Sequence, residues 1–219
     1  MPSDSPRLIV FDLDGTLIDS RRDLADAANA LLESEGAAPL SEERIGRMVG
    51  DGAATLVARA FDASGVARPA DALERFLALY DERLLNHTRP YPGIPEVLEA
   101  LGLRSPLAVL TNKPLASTRR ILAGLGLARH FPDNAVVGGD GPFPRKPDPA
   151  GLLHLMARAR VDAAATLLVG DSIVDWRTAR AAATPICLAR YGFGYEGFPR
   201  DAIAASDRLI DAPADILAL

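Results

Sequence analysis

Lysine is almost missing from this chain. Of its 24 basic residues, all but Lys113 and Lys146 are arginine. Those two stand out as places where a compact ammonium does what a guanidinium cannot, such as holding a phosphate oxygen as a point charge. Cysteine is scarcer still: the single Cys187 excludes an intramolecular disulfide. Its place in the apolar run Pro185–Ala189 reads as a small core residue rather than a nucleophile. The three histidines, His87, His130 and His154, stand in no motif and read as structural or exposed. A basic surplus is also lacking. The net charge of -5 gives no footprint for nucleic acid or an anionic membrane. No apolar run approaches the roughly 20 residues that span a bilayer, and the first seven residues are polar and proline-rich, unlike a signal peptide. A soluble protein of the reducing cytoplasm is expected.

What is present is an ordinary globular composition, 48% hydrophobic and 24% charged over 219 residues, enough for one large domain or two unequal ones. The chain is organised around Leu8–Leu17. Leu8 to Phe11 predict a short buried strand, Asp12 stands at its end, Asp14 follows two positions later, and Gly15 permits a sharp turn. Ligands of open α/β sheets bind beyond the carboxyl ends of the strands. Paired carboxylates there point to a cation, a nucleophile, or an acid beside a nucleophile.

Helical patterns follow. Leu24, Ala28, Leu31 and Leu32 share a face, with Ser20 placed to cap the start and Gly36 to end the helix. Ser41 predicts the cap of a second short helix, with Glu42 and Glu43 near its positive end. Two more helices are expected near 53–62 and 70–86. The stripe Leu73, Phe76, Leu77, Tyr80 and Leu84 in the last reads as core. Arg89–Gly93 reads as a linker. Beyond it strands are expected at Leu107–Leu110, Ala135–Val137, Thr166–Val169 and Ile186–Ala189, with helices over 115–126, 149–158 and 173–183. The expected fold is α/β, a Rossmann-like parallel sheet wrapped by helices, with a small α-helical cap domain inserted after the first strand. Residues 1–18 and 89–219 would form the core domain, and 19–88 the cap.

Three predicted strand ends carry polar groups: Asp12 and Asp14, Thr111 and Asn112, and Asp171 with Asp175. Lys146 lies in a loop between the last two. Converging carboxylates repel unless a cation sits among them, and oxygen ligands with few histidines favour Mg²⁺ over Zn²⁺. Lysine, hydroxyl and amide donors in the same place suit phosphoryl oxygens. The pattern implies Mg²⁺-dependent phosphoryl transfer.

With these residues the chain resembles the haloacid dehalogenase-like superfamily. Asp12-Leu13-Asp14-Gly15-Thr16, Leu110-Thr111-Asn112, Arg145-Lys146-Pro147 and Gly170-Asp171-Ser172 through Asp175 match its four motifs in order. The resemblance implies that Asp12 attacks phosphorus and that Asp14 is the general acid and base. Thr111, Asn112 and Lys146 would hold the substrate, and Asp12, the Asp14 backbone carbonyl and Asp171 would bind Mg²⁺, with Asp175 supporting either the metal shell or Lys146. Lys113 is left open between the site and an exposed helix start. Val49-Gly50-Asp51-Gly52, Tyr91-Pro92-Gly93, Val137-Gly138-Gly139-Asp140 and Tyr191-Gly192 resemble the phosphoglycolate phosphatase subfamily. Val174, Trp176 and the pair Ala183-Thr184, where alanine-glycine is usual, depart from it.

The implied substrate is a small phosphate monoester, 2-phosphoglycolate first, met in the cap by the Gly50 backbone and Arg47. A pyrophosphatase or nucleotidase, or a β-phosphoglucomutase-like phosphotransferase, is the alternative. No lysine stands in the cap, which counts against the mutase and against a phosphonate hydrolase working through a Schiff base. Asp14 counts against a dehalogenase. Neither nucleic acid nor a membrane is expected as a partner, and the protein would be a monomer or homodimer. Cap closure is expected on hinges near Asp19 and Arg89–Gly93.

Overall fold

The computed structural model describes residues 7–218. Residues 1–6, most of the polar stretch at the start of the chain, lie outside the described residues. The first strand, β1 (Leu8–Phe11), is entirely buried. It is the centre of a six-stranded parallel sheet in the order β5-β4-β1-β6-β7-β8, with β4 at Leu107–Leu110, β5 at Val136–Val137, β6 at Thr166–Gly170, β7 at Ile186–Ala189 and β8 at Arg208–Ile210. Phe11 pairs in register with Val109 of β4 and Val169 of β6. The residues that follow β1, β4 and β6 therefore emerge side by side at one edge. The chain builds outward from β1 to β4 and β5, then returns to lay β6 on β1's other side. Such a reversal of strand order opens a crevice at the carboxyl ends.

Both faces of the sheet are covered, so its strands read as continuous apolar runs. Ile9 and Phe11 face the side packed by α5 (Ile94–Gly102) and α6 (Leu115–Gly124). Leu8 and Val10 face α7 (Ala150–Ala159) and α8 (Ile173–Ala181). Cys187 is wholly buried in the first of these layers, and burial pushes its thiol up to about 12, as a core residue requires.

Between β1 and β4 the chain makes four helices, α1 (Arg21–Ser34), α2 (Glu42–Gly46), α3 (Ala53–Ser64) and α4 (Ala72–Arg83). They bury Leu24, Leu31, Phe61 and Phe76 against one another. Ser41 caps α2 as expected, its hydroxyl accepting from Arg44 N–H at 3.2 Å. Ser20 precedes α1, but its side chain makes no capping bond.

The expected linker is structured. Arg89–Pro90 (β3) pairs antiparallel with Ile18–Asp19 (β2); proline bars a central strand but not a two-residue edge ribbon. Beside this neck lies Asp23, wholly buried, whose carboxylate accepts from His87 N–H at 2.9 Å, Thr88 N–H at 2.8 Å and the Thr88 hydroxyl at 2.7 Å. Three donors compensate a charge that burial would otherwise penalise. No helix among the described residues is long and apolar enough to cross a membrane.

At the end of α8, Ala183 has φ 52. The N–H groups of Ala183 and Thr184 donate to the carbonyls of Arg180 and Ala179 at 3.1 and 2.9 Å. This is the left-handed helix-end position that glycine fills at little cost, and a Cβ there costs about 1 kcal/mol. Ala183→Gly is expected to raise the unfolding midpoint by about 2–4 °C. An unchanged or lower midpoint in a thermal melt would contradict strain at this corner.

Candidate active site

The ends of β1, β4 and β6 bring Asp12, Thr111 and Asp171 to one place. Lys146 reaches it from the loop before α7, and its ammonium lies 2.8 Å from Asp12 Oδ1 and 2.6 Å from Asp175 Oδ1. Its side chain is 2% exposed, so the ion pairs are dry and strongly coupled. Asp175 is fixed on its other oxygen by the Ser172 hydroxyl at 2.6 Å and the Ser172 N–H at 3.1 Å. That capping box makes the start of α8 part of the site.

Among the described residues Asp171 has no ion-pair partner; Lys146 pairs with Asp12 and Asp175 instead. The Gly194 N–H donates to its Oδ2 at 2.7 Å, and the Thr16 hydroxyl to its Oδ1 at 3.3 Å. Two glycines make room for it. Gly15 has φ +88, and a Cβ there would stand 1.9 Å from Asp171 Oδ2; a Cβ on Gly192 would stand 2.3 Å from Asp171 Cβ. Tyr191 anchors this last loop by donating to Thr16 O at 2.9 Å.

Carboxylate oxygens of Asp12, Asp171 and Asp175 all lie within 4.8 Å of one another, and all three residues are buried. The only ammonium among them is that of Lys146. Three carboxylates against one cation leave an excess of buried negative charge. Burial raises the Asp12 carboxyl from its ordinary 3.8 to about 7, against the pull of Lys146 and with Asp175 adding to the rise. Burial, then the charges of Asp175 and Asp12, hold Asp171 well above the usual carboxylate range. Lys146 loses affinity for its proton through burial, but Asp12 and Asp175 more than restore it, so it stays charged. The donor set is all oxygen and short of positive charge, which fits a hard divalent cation such as Mg²⁺.

Asp14 sits apart from this cluster. Lys113 donates to both of its oxygens, at 2.9 and 2.8 Å, and the Ser20 hydroxyl donates to Oδ1 at 2.5 Å. Lys113 is therefore a buried member of the site, not an exposed helix-start lysine. Its ammonium lies 4.6 Å above the centre of the Tyr80 ring. A cavity of about 40 Å³ adjoins these groups, bounded on the sheet side by Asp12, Asp14, Thr111, Asn112 and Lys113, and on the helical side by residues of α1, α3 and α4 and the Val49–Gly52 loop. Of the stripe expected to be core, Phe76, Tyr80 and Leu84 are buried in the hydrophobic core and Leu77 packs against it, while Leu73 is exposed; Phe76, Leu77 and Tyr80 also wall the cavity, which helical spacing alone does not reveal.

Thr111 lines the cavity, its hydroxyl accepting from Lys113 N–H at 3.2 Å. The Asn112 amide donates to the carbonyls of Gly50 and Lys146, both at 2.9 Å, so it ties the helical insert to the Lys146 loop. Gly50 is at the cavity with its carbonyl held by that bond. Arg47 does not line the cavity; it donates to Glu196 Oε1 at 3.1 Å across the rim, with its side chain 49% exposed. The expectation that it supplies charge to a ligand is not what the geometry provides. Thr16 and Ser172 stand inside matched motifs and Gly192 in the Tyr191-Gly192 resemblance, but none was given a role there; Gly194 and Tyr80 were not anticipated as parts of the site. Ser172, three residues before an acid at a helix start, also carried a capping signal.

The chain matches the haloacid dehalogenase-like hydrolase family over residues 9–189. A phosphoglycolate phosphatase of Rhodospirillum rubrum is 46% identical over 200 residues, covering 87% of this chain and 82% of its own length. A plasmid-borne phosphoglycolate phosphatase of Cupriavidus necator is 37% identical over 210 residues, 93% of this chain and 88% of that one. Among solved structures, one described as a predicted phosphoglycolate phosphatase from Haemophilus somnus superposes with a TM-score of 0.90 at 32% identity, covering 100% of this chain and 99% of that one.

Proposed function

Because this chain belongs to the haloacid dehalogenase-like hydrolase family, we propose that it is a Mg²⁺-dependent phosphatase that hydrolyses 2-phosphoglycolate through an aspartyl-phosphate. One observation carries the reading: Asp12, Asp171 and Asp175 converge around a single buried ammonium, while a fourth carboxylate, Asp14, is held apart by its own partner, Lys113. Two carboxylates in different surroundings divide the labour of nucleophile and proton carrier.

Lys146 holds one oxygen of Asp12, which leaves the other to attack phosphorus. The phosphorus–ester oxygen bond breaks, and the departing alkoxide takes a proton from Asp14. Water then attacks the aspartyl-phosphate phosphorus, Asp14 receives its proton, and the phosphorus–Asp12 bond breaks to release inorganic phosphate. Proton transfer of this kind contributes about 10² to 10⁴ in rate. Thr111 and Lys146 hold phosphoryl oxygens as charge develops. Mg²⁺ bound by Asp12, Asp171 and the Asp14 backbone carbonyl would supply the positive charge that the phosphoryl group and the carboxylates together require.

The same proposal treats residues 19–88 as a cap moving over a core of 1–18 and 89–219. The β2–β3 ribbon would be its neck and Arg47–Glu196 a contact between the two across the rim. The small cavity, walled by Phe76 and Leu77, favours a substrate of few atoms. The names of the relatives supply the particular ester.

The test is a panel of 2-phosphoglycolate, ethyl phosphate, pyrophosphate and AMP with Mg²⁺. Phosphoglycolate is expected to show the highest kcat/KM, by about tenfold or more over ethyl phosphate, the margin one charge-assisted contact provides. Preference for pyrophosphate or AMP would defeat the substrate assignment.

A further inference from the structure

The proposed chemistry uses Asp14 but leaves Lys113 without a task of its own. Both lysines of this chain are in the site, 7% and 5% exposed, although arginine has replaced lysine everywhere else. Lys146 serves the phosphoryl end. Lys113 lines the cavity next to Asp14, and among the described residues no other lysine or arginine is in its lining, the Arg145 guanidinium coming only as near as the outer side of Gly52. Its two hydrogen bonds go to the Asp14 oxygens, and an ammonium has three donors.

Two further features of the same wall bear on what sits there. Tyr80 is 3% exposed, and its buried hydroxyl lies against the Lys113 ammonium, which can only donate, so its own proton finds no acceptor. A buried hydroxyl proton left without an acceptor is destabilising unless a ligand meets it. The first turn of α3, with Gly52 and Ala53 on the cavity, begins without a side-chain cap, so its N–H groups are available to an anion. A cation, an orphan hydroxyl and a bare helix start share a chamber of about 40 Å³.

We infer that Lys113, the Tyr80 hydroxyl and the first turn of α3 form the subsite for the carboxylate of the substrate, making Lys113 the residue that sets specificity. The inference rests on the phosphoglycolate reading and supplies the cation that Arg47, turned to Glu196, does not. Its geometry suits that ester. In 2-phosphoglycolate one methylene separates the leaving oxygen from the carboxylate. Lys113 Nζ lies 2.8 Å from Asp14, the group that serves that oxygen, so a ligand reaching both must carry its anion one short step away. The Lys113 ammonium is shared between Asp14 and the incoming carboxylate, and Tyr80 donates its hydroxyl proton to the same group. An uncharged alcohol would leave the Tyr80 hydroxyl proton unmet.

The readout is the ratio of kcat/KM for 2-phosphoglycolate to that for ethyl phosphate, which has a similar leaving group and no carboxylate. Lys113→Met is expected to lower this ratio by about 10- to 100-fold, chiefly through KM for phosphoglycolate. Tyr80→Phe keeps the ring under the ammonium, removes only the hydroxyl, and is expected to lower the ratio by about fivefold. If Lys113→Met slows both substrates in parallel, Lys113 only positions Asp14 and the subsite is overturned. Should Lys113→Met fail to fold, Tyr80→Phe decides: a lower ratio supports the subsite and an unchanged one overturns it. A wild-type enzyme with no preference for phosphoglycolate would defeat the substrate reading itself. A wild type that prefers it, with variants that prefer it equally, would defeat the subsite alone.

Discussion

Asp12→Asn is expected to abolish turnover, lowering kcat by about 10⁴ or more, while the protein stays folded. Asparagine keeps the shape of the side chain at the end of β1 but offers an amide in place of the nucleophilic carboxylate, so no acyl-phosphate forms. The structural cost is small for a specific reason. Asp12 is one of three carboxylates around a single ammonium, and burial already raises its pKa to about 7. Neutralising it removes a charge from an over-negative cluster, and Lys146 keeps Asp175 at 2.6 Å. In chelator, Asp12→Asn should therefore match wild-type stability to within about 1 kcal/mol. Activity within tenfold of wild type would remove Asp12 from the role of nucleophile. A collapsed melting curve would mean that the carboxylate is structural.

The acids of the site were legible because of where they stand. Asp12, Thr111 and Asp171 each follow a short apolar run, and a parallel sheet must bring such ends together. Lys146 could be singled out because this chain has so little lysine. What the sequence hid was pairing over distance. Lys113 and Asp14 are 99 residues apart, and nothing local to either shows that they meet. Tyr80 follows the spacing of an ordinary buried stripe, and only tertiary packing decides that its ring lies under an ammonium. Arg47 stands where a cation would be useful, yet Glu196, 149 positions away, claims it.

The fold divides in the same way. Runs of four apolar residues marked β1, β4 and β7 to the residue, because strands buried on both faces carry no alternation to misread. The neck was missed because Ile18–Asp19 and Arg89–Pro90 have no strand pattern of their own and pair only once α1–α4 have closed the loop between them. Helix α5 carries Ile94, Val97, Leu98 and Leu101 at helical spacing, yet no element is expected there between the Arg89–Gly93 linker and Leu107. Pro95 lies in the first turn, where its missing N–H costs nothing. Strand β8 has one buried residue of three, too little contrast to announce itself.

Chelation is expected to silence the enzyme and Mg²⁺ to restore it, with a change in stability that runs in parallel. Lys146 answers Asp12 and Asp175, but Asp171 is held only by the Gly194 N–H and the Thr16 hydroxyl. That is orientation without neutralisation, and Asp171 packs so closely on Gly15 and Gly192 that a Cβ at either would collide with it. A cation that binds the folded protein and not the unfolded chain adds about 2.7 kcal/mol at 100 times its dissociation constant, or about 5–10 °C in the unfolding midpoint for a chain of this size. Asp171→Asn should lose both the activity and the Mg²⁺-dependent rise in midpoint. Ca²⁺ should raise the wild-type midpoint without supporting turnover, because its looser, higher-coordinate shell holds the nucleophile less well. Full activity in chelator would refute the metal role. An equal rise in midpoint with Asp171→Asn would place the ion elsewhere, away from the carboxylates that converge beside Lys146.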